Sequence, residues 1–171
     1  MLASPSLFTP NAHLEAVAEV CKMNRFISGV EFCKWHFGVA GAVEIAQALA
    51  ANCGLEYISL NQNDLGDEGV KVLAEALKTN STLTAMFVEH NRIGDRGVQA
   101  LAEMLKTNDT IKRVNLAYND FGSIGGQALL ESLTVNKTVD SMTIFDGSKI
   151  DYEMNQKLRS LALRKGIRIN A

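Results

Sequence analysis

The chain has 171 residues, 47% apolar and 21% charged, with a formal charge of −2 and a pI near 5.9. This excludes a disordered tail, which needs low hydrophobicity and high net charge, and the missing basic excess argues against a nucleic-acid binder. No apolar run reaches the roughly 18 residues that a membrane span needs, and three cysteines without a C-x-x-C pair point to neither a disulfide framework nor a zinc site.

Met1–Pro10 is predicted to be a mobile or extended arm; residues 1–9 lie outside the described residues. It has no basic segment followed by an apolar stretch, so no signal peptide is expected, and it carries no arginine, which argues against a transit peptide. Residues 11–24, NAHLEAVAEVCKMN, predict a helix with Leu14, Val17, Val20 and Cys21 on its apolar side. The segment 11–26 reads as half a structural unit that caps the N-terminal end of the domain.

From there the chain repeats. Asn52, Asn80, Asn108 and Asn136 recur at steps of 28, and blocks opening at Leu55, Leu83 and Ile111 align without a gap. The expected units are 27–54, 55–82, 83–110 and 111–138, with a divergent block and cap over 139–171, all within one domain spanning 1–171. Each block opens as L-x-x-L-x-L-x-x-N: Leu55, Ile58, Leu60, Asn63; Leu83, Met86, Val88, Asn91; Ile111, Val114, Leu116, Asn119. The alternating part predicts a short strand with one buried face. The second part has helical spacing, as in Val70, Leu73, Leu77 and Val98, Leu101, Leu105. Asn11, Asp67, Asp95, Ser123 and Asp151 share a frame and are expected N-caps. Val39 breaks that column. Gly41, Gly69, Gly97 and Gly125 fall in the first helical turns, where a missing Cβ allows close packing between neighbours.

The pattern resembles leucine-rich repeats of the ribonuclease inhibitor-like type, over about 27–165 and most clearly over 55–138. The resemblance implies an α/β fold: a solenoid with a parallel sheet on its concave face and helices on its convex face. One block cannot bury enough apolar surface to offset the entropy of ordering it, so the blocks must stack into a cooperative unit around the column Leu60, Val88, Leu116. Over 101–122 the chain is also similar to the repeat domain of tropomodulins, which cap actin filaments.

The ends depart from the pattern. Trp35 takes the asparagine position of the first block, with Phe32 and Phe37 beside it; an indole cannot accept a hydrogen bond, so that turn is expected to differ. The aromatic layer reads as a thicker cap or as an interface to another subunit. In the last block Gly147 holds the asparagine position, a helix is predicted from Asp151 to about Lys165, Gly166 suits its C′ position, and Ile167–Asn170 reads as a short edge strand. Residues 1–103 carry 7 basic and 12 acidic groups, and residues 104–171 carry 10 and 7.

Candidate chemistry is sparse. Asn80-Ser-Thr, Asn108-Asp-Thr and Asn136-Lys-Thr fit the glycosylation pattern, but their even spacing suits a helix-ending role, with the asparagine in the left-handed conformation. Asn61–Gly66 fails as a calcium loop because Leu65 cannot ligate and Val72 stands where a bidentate Glu is needed. GSIGG at 122–126 reads as the start of a repeat helix. Cys33 and His36 lack an orienting third group, Cys21 and Cys53 read as packed thiols, and Glu75, Glu103 and Glu131 form a helix-surface column. No catalytic, cofactor or metal site is expected.

The positions between the strand leucines form outward columns: Glu31, Ser59, Phe87, Asn115, Thr143; Gly29, Tyr57, Ala85, Arg113, Ser141; Cys33, Asn61, Glu89, Ala117, Phe145; and a rim of Lys34, Gln62, His90, Tyr118, Asp146. Aromatics and arginine anchor protein interfaces. The candidate partner-binding face is therefore Tyr57, Phe87, Glu89, His90, Arg113, Asn115, Tyr118 and Phe145. The function expected is a non-catalytic, cytoplasmic module that binds a protein partner through this face, with no nucleic acid and no membrane insertion. The alternatives are a structural subunit of a larger assembly using its aromatic N-terminal layer and ends, or a regulator of an enzyme or of the actin cytoskeleton.

Overall fold

The computed structural model describes residues 10–23, 26–51, 54–144 and 146–170. Strand and helix alternate along the chain: α1 (Pro10–Met23), β1 (Gly29–Glu31), α2 (Gly38–Ala50), β2 (Tyr57–Ser59), α3 (Gly66–Leu77), β3 (Ala85–Phe87), α4 (Asp95–Thr107), β4 (Arg113–Asn115), α5 (Ser123–Val135), β5 (Ser141–Thr143), α6 (Tyr152–Lys165) and β6 (Arg168–Asn170). The strands form one parallel sheet in chain order, and each helix packs on the next. From β1 to β5 every partner lies 28 residues on, as in Tyr57 opposite Ala85 and Ala85 opposite Arg113. The sequence period is thus the ladder register.

The core lies between sheet and helices. Leu60, Val88 and Leu116 have no exposed surface, and Val70, Leu73, Leu77, Val98, Leu101 and Leu105 are buried behind them. The cap helix departs from expectation at Val20, which is 49% exposed, while Ala18 and Cys21 are buried. The helix face is rotated because Cys21 falls on the core column, 28 residues before Leu49. Leu14, Val17 and Cys53 lie outside the described side chains.

The expected N-caps need correcting. Only Asp151 caps its own helix, accepting from the Met154 N–H at 2.8 Å. Asp67 lies inside α3, and its Oδ1 accepts from the Gly94 and Gly97 N–H groups at the start of α4. Asp95 does the same for Gly122 and Gly125 at the start of α5. Ser123 exchanges hydrogen bonds with Asp151, Oγ donating to Oδ2 at 2.5 Å. The caps of α4 and α5 are therefore supplied by the preceding turn of the solenoid. Val39 stands where α3 would need such a cap, and the Gly66 N–H turns instead to the Asn91 carbonyl at 2.9 Å, with φ at 58°. Asn11 lies outside the described side chains.

Two asparagine columns hold the turns. Asn91 Oδ1 accepts from the Asn63 and Leu65 N–H groups, and its Nδ2 donates to the Leu60 carbonyl; Asn119 serves the Asn91 turn in the same way. Each asparagine reaches back one turn. Asn63 accordingly serves the Trp35 turn, accepting from the Trp35 and His36 N–H groups. That turn was expected to differ, yet Lys34, His36 and Gly38 repeat the left-handed φ values of Gln62, Asp64 and Gly66. The indole is not called on to accept. In the second column, Asn80, Asn108 and Asn136 donate to the carbonyls of Leu49, Leu77 and Leu105. Asn108 and Asn136 are extended, with ψ of 127° and 140°, rather than left-handed. Their oxygens cap the next turn's N–H groups, as in Asn108 with Thr110 and Ile111, which extended backbone permits. All three side chains are buried, so they build turns and do not present an amide for glycosylation.

The C-terminal end substitutes one device for another. Lys165 Nζ donates to the Leu133, Thr134 and Asn136 carbonyls, the place that asparagine amides fill at earlier helix ends. Gly166 closes α6 at φ 71°. The link to β6 is short, so Ser141 pairs with Arg168, 27 residues on, one fewer than elsewhere.

Candidate protein-binding face

The parallel register sets the outward columns of β1–β5 as the repeat predicts: Gly29, Tyr57, Ala85, Arg113, Ser141 in one and Glu31, Ser59, Phe87, Asn115, Thr143 in the next. Small members are nevertheless buried: Ser59 is 3% exposed, Ala85 0% and Ala117 2%.

The predicted residues fall into three groups. Tyr57 and Phe87 pack edge to face with ring centroids 5.3 Å apart, the favoured aromatic geometry. The Tyr57 hydroxyl donates to Glu31 Oε1 at 3.0 Å. Partial burial, together with that carboxylate, raises the phenol above its ordinary pKa. Arg113 lies two strands from Tyr57 in the same column, roughly 10 Å at the usual strand spacing. Its side chain is exposed and makes no hydrogen bond or ion pair with another described residue. Glu89 accepts a short hydrogen bond from the Asn115 amide, and Asn115 Oδ1 accepts from the Ala117 N–H. His90 and Tyr118 form a separate stack on the rim, 4.4 Å apart and 2° from parallel. Tyr57, Phe87, Arg113 and Tyr118, expected to form one patch, thus divide between sheet and rim. Phe145 lies outside the described residues.

A second polar strip escaped the sequence columns. His36, Asp64, Arg92 and Asp120 also recur at 28, and with Gln62, His90 and Tyr118 they line a rim groove of about 280 Å³. Asp64 lies 2.7 Å from His36 Nδ1 and 3.3 Å from an Arg92 nitrogen. The His36 contact, aided by the Arg92 charge, holds the Asp64 carboxyl below its ordinary range. Lys149 pairs with Asp120 at 3.0 Å. The missed signal was conformational: His36, Asp64 and Arg92 adopt φ between 51° and 56°, which turns the chain outward beside the rim column.

Other candidates are accounted for by packing. Cys33 Sγ lies 3.3 Å from Ser59 Oγ while His36 turns to Asp64, so the two are not brought together as a nucleophilic pair. The N–H groups of Gly122 and Gly125, where a phosphate cradle would form, already bond Asp95. Glu75 and Glu103 pair with Lys78 and Lys106, each three residues on. Among the described residues no helix is long and apolar enough to cross a membrane, and no three His, Cys, Asp or Glu side chains are grouped to hold a metal.

The profile of the leucine-rich repeat family matches residues 51–74, 79–102 and 107–130. No curated protein sequence matches the chain. Among solved structures, leiomodin-1 actin-binding site 2 matches at a TM-score of 0.73 and 18% identity, covering 95% of this chain and 91% of that one. The Caenorhabditis elegans tropomodulin C-terminal domain matches at 0.75 and 13% identity, covering 89% and 92%. With the strand–helix periodicity and the unbroken parallel ladder, these matches show leucine-rich repeats within residues 51–130 of this chain, in a fold like that of the tropomodulin and leiomodin domains.

Proposed function

We propose that the chain is a non-catalytic interaction module, acting as one domain, that binds a protein partner through its concave face. The Tyr57–Phe87 pair beside an uncommitted Arg113 side chain carries this reading, since aromatic and arginine anchors on a rigid sheet lose little conformational freedom on docking. Glu89, His90, Asn115, Tyr118 and Phe145 complete the proposed surface. The 28-residue helical repeats support the ribonuclease inhibitor-like subtype. The exposed thiol of Cys33 suits a reducing compartment such as the cytoplasm. Phe87→Ala combined with Arg113→Ala is expected to leave melting nearly unchanged and to abolish partner capture; undiminished capture overturns this surface.

Actin is the second reading of the partner. It is favoured by a fold match, along nearly the whole chain, to a domain named as an actin-binding site. Co-sedimentation with filaments and a pointed-end elongation assay test it, and the absence of both effects removes it.

A further inference from the structure

We propose that the partner segment bound by the concave face is acidic, setting a carboxylate on Arg113 and an apolar side chain on the Tyr57–Phe87 pair. This rests on the concave-face reading above and adds to it the chemistry of the partner.

The strand register brings the three residues together. Phe87 stands opposite Ser59 on one side and Asn115 on the other, so Tyr57 and Arg113 are its diagonal neighbours in the two adjacent strands. Strand spacing and rise set each of them roughly 8 Å from Phe87 between Cα atoms. Tyr57 closes that distance with its edge-to-face ring contact at 5.3 Å.

Arg113 has no counter-charge of its own. Ala85 and Ser141 stand opposite it, Phe87 and Thr143 are its diagonal neighbours, and Asn115 is the next outward residue on its strand. None of these is charged. Glu31 and Glu89, on the same face, are committed to Tyr57 and Asn115. Asp140, just before Ser141, turns to Arg168 at 3.5 Å. Lys112, adjacent and exposed, adds a second positive charge that forms no ion pair among the described residues.

Coverage of the face decides the charge it selects. A segment seated on Phe87 also covers Arg113, one diagonal away, and a guanidinium shut off from water without an anion is costly. An uncharged or basic segment meets that penalty. An acidic one replaces it with a charge-assisted contact that the planar guanidinium makes in bidentate form. The same surface therefore discriminates as well as binds.

Spacing narrows the class further. Side chains on one face of an extended segment recur at every second residue, roughly 7 Å apart, close to the diagonal from Phe87 to Arg113. The segment expected is extended, with Asp or Glu two positions from a large apolar residue. The distribution of charge agrees: residues 104–171 carry 10 basic and 7 acidic groups, whereas residues 1–103 carry 7 and 12, so the acidic end of the segment belongs over β4.

Selection from a displayed library of random peptides, with the full chain immobilised, tests this. The wild-type chain is expected to enrich peptides with Asp or Glu two positions from Leu, Ile, Phe or Trp. Arg113→Glu is expected to enrich Lys or Arg at that position instead, and Arg113→Ala to keep the apolar preference and lose the acidic one. A synthetic peptide carrying the wild-type consensus should bind Arg113→Ala about tenfold more weakly or worse, and Phe87→Ala should weaken it as well. Circular dichroism checks that each variant is folded; if Arg113→Glu is not, Arg113→Gln removes the charge and is expected to behave as Arg113→Ala. An apolar preference that depends on Phe87 but has no acidic position beside it overturns the proposal and leaves the concave-face reading standing. Selected peptides whose binding is indifferent to both Phe87 and Arg113 overturn both. Recovery of no consensus overturns the proposal, and the concave-face reading then stands or falls by partner capture with the Phe87→Ala, Arg113→Ala double variant.

Discussion

The carboxylate of Asp67 sits against the missing side chain of Gly97. Asp67 Oδ1 accepts from the Gly97 N–H at 2.9 Å, and a Cβ at Gly97 would lie 2.8 Å from that same oxygen. Asp95 and Gly125 repeat the arrangement at 2.7 and 3.0 Å. The aspartate and glycine columns of the repeat are thus one device: a turn donates the cap, and the next turn keeps room for it.

Asp67→Ala should remove the cap of α4 rather than loosen α3. The expected loss is about 1–2 kcal/mol, lowering Tm by roughly 2–4 °C per kcal/mol at this chain length. Amide hydrogen exchange should quicken at Gly94 and Gly97, and quickening confined to the first turn of α3 would contradict the assignment.

Gly97→Ala should destabilise, although alanine ordinarily gains about 1 kcal/mol over glycine in a helix. The new methyl would also lie 2.6 Å from Ile93 Cγ2, so a net loss of about 1–3 kcal/mol is expected from overpacking. Urea titration of Gly97→Ala, Asp67→Ala and the double variant should show less than additive losses, since both act on one contact.

Val88→Asp places a charge in a fully buried position between Leu60 and Leu116. An unpaired buried charge costs several kcal/mol, enough to unfold the whole chain if the turns are coupled. Far-ultraviolet circular dichroism should lose helix throughout; loss limited to a single turn would show that the repeats fold separately.

Asp151 ties stability to acid pH. The Met154 N–H and then Ser123 hold its carboxyl below the ordinary range, and His36 does the same for Asp64. A carboxyl with a lowered folded pKa contributes stability above its unfolded value, near pH 4, and loses it as pH falls through the folded pKa. Melting curves between neutral pH and pH 3 should show α6 loosening first, and Asp151→Ala should flatten that dependence. An unchanged slope in the variant would assign the effect elsewhere.

The sequence by itself determined the period, the strand and helix of each block, the buried column and the outward columns, because a 28-residue repeat becomes a 28-residue register once turns stack in parallel. It also located α6, the Gly166 stop and β6. What only the tertiary structure decided is which turn each polar side chain serves. Asp67, Asp95, Asn63 and Asn91 look like local caps and turn formers, yet each satisfies backbone groups of a neighbouring turn. Rim residues such as His36 and Asp64 meet only because left-handed turns stack them, and Tyr57 packs across the sheet on Phe87. The physical reason is shared. A linear pattern fixes which residues recur, whereas a buried polar group bonds whatever donor or acceptor lies nearest in space, and in a solenoid that is as often one turn away as along the chain.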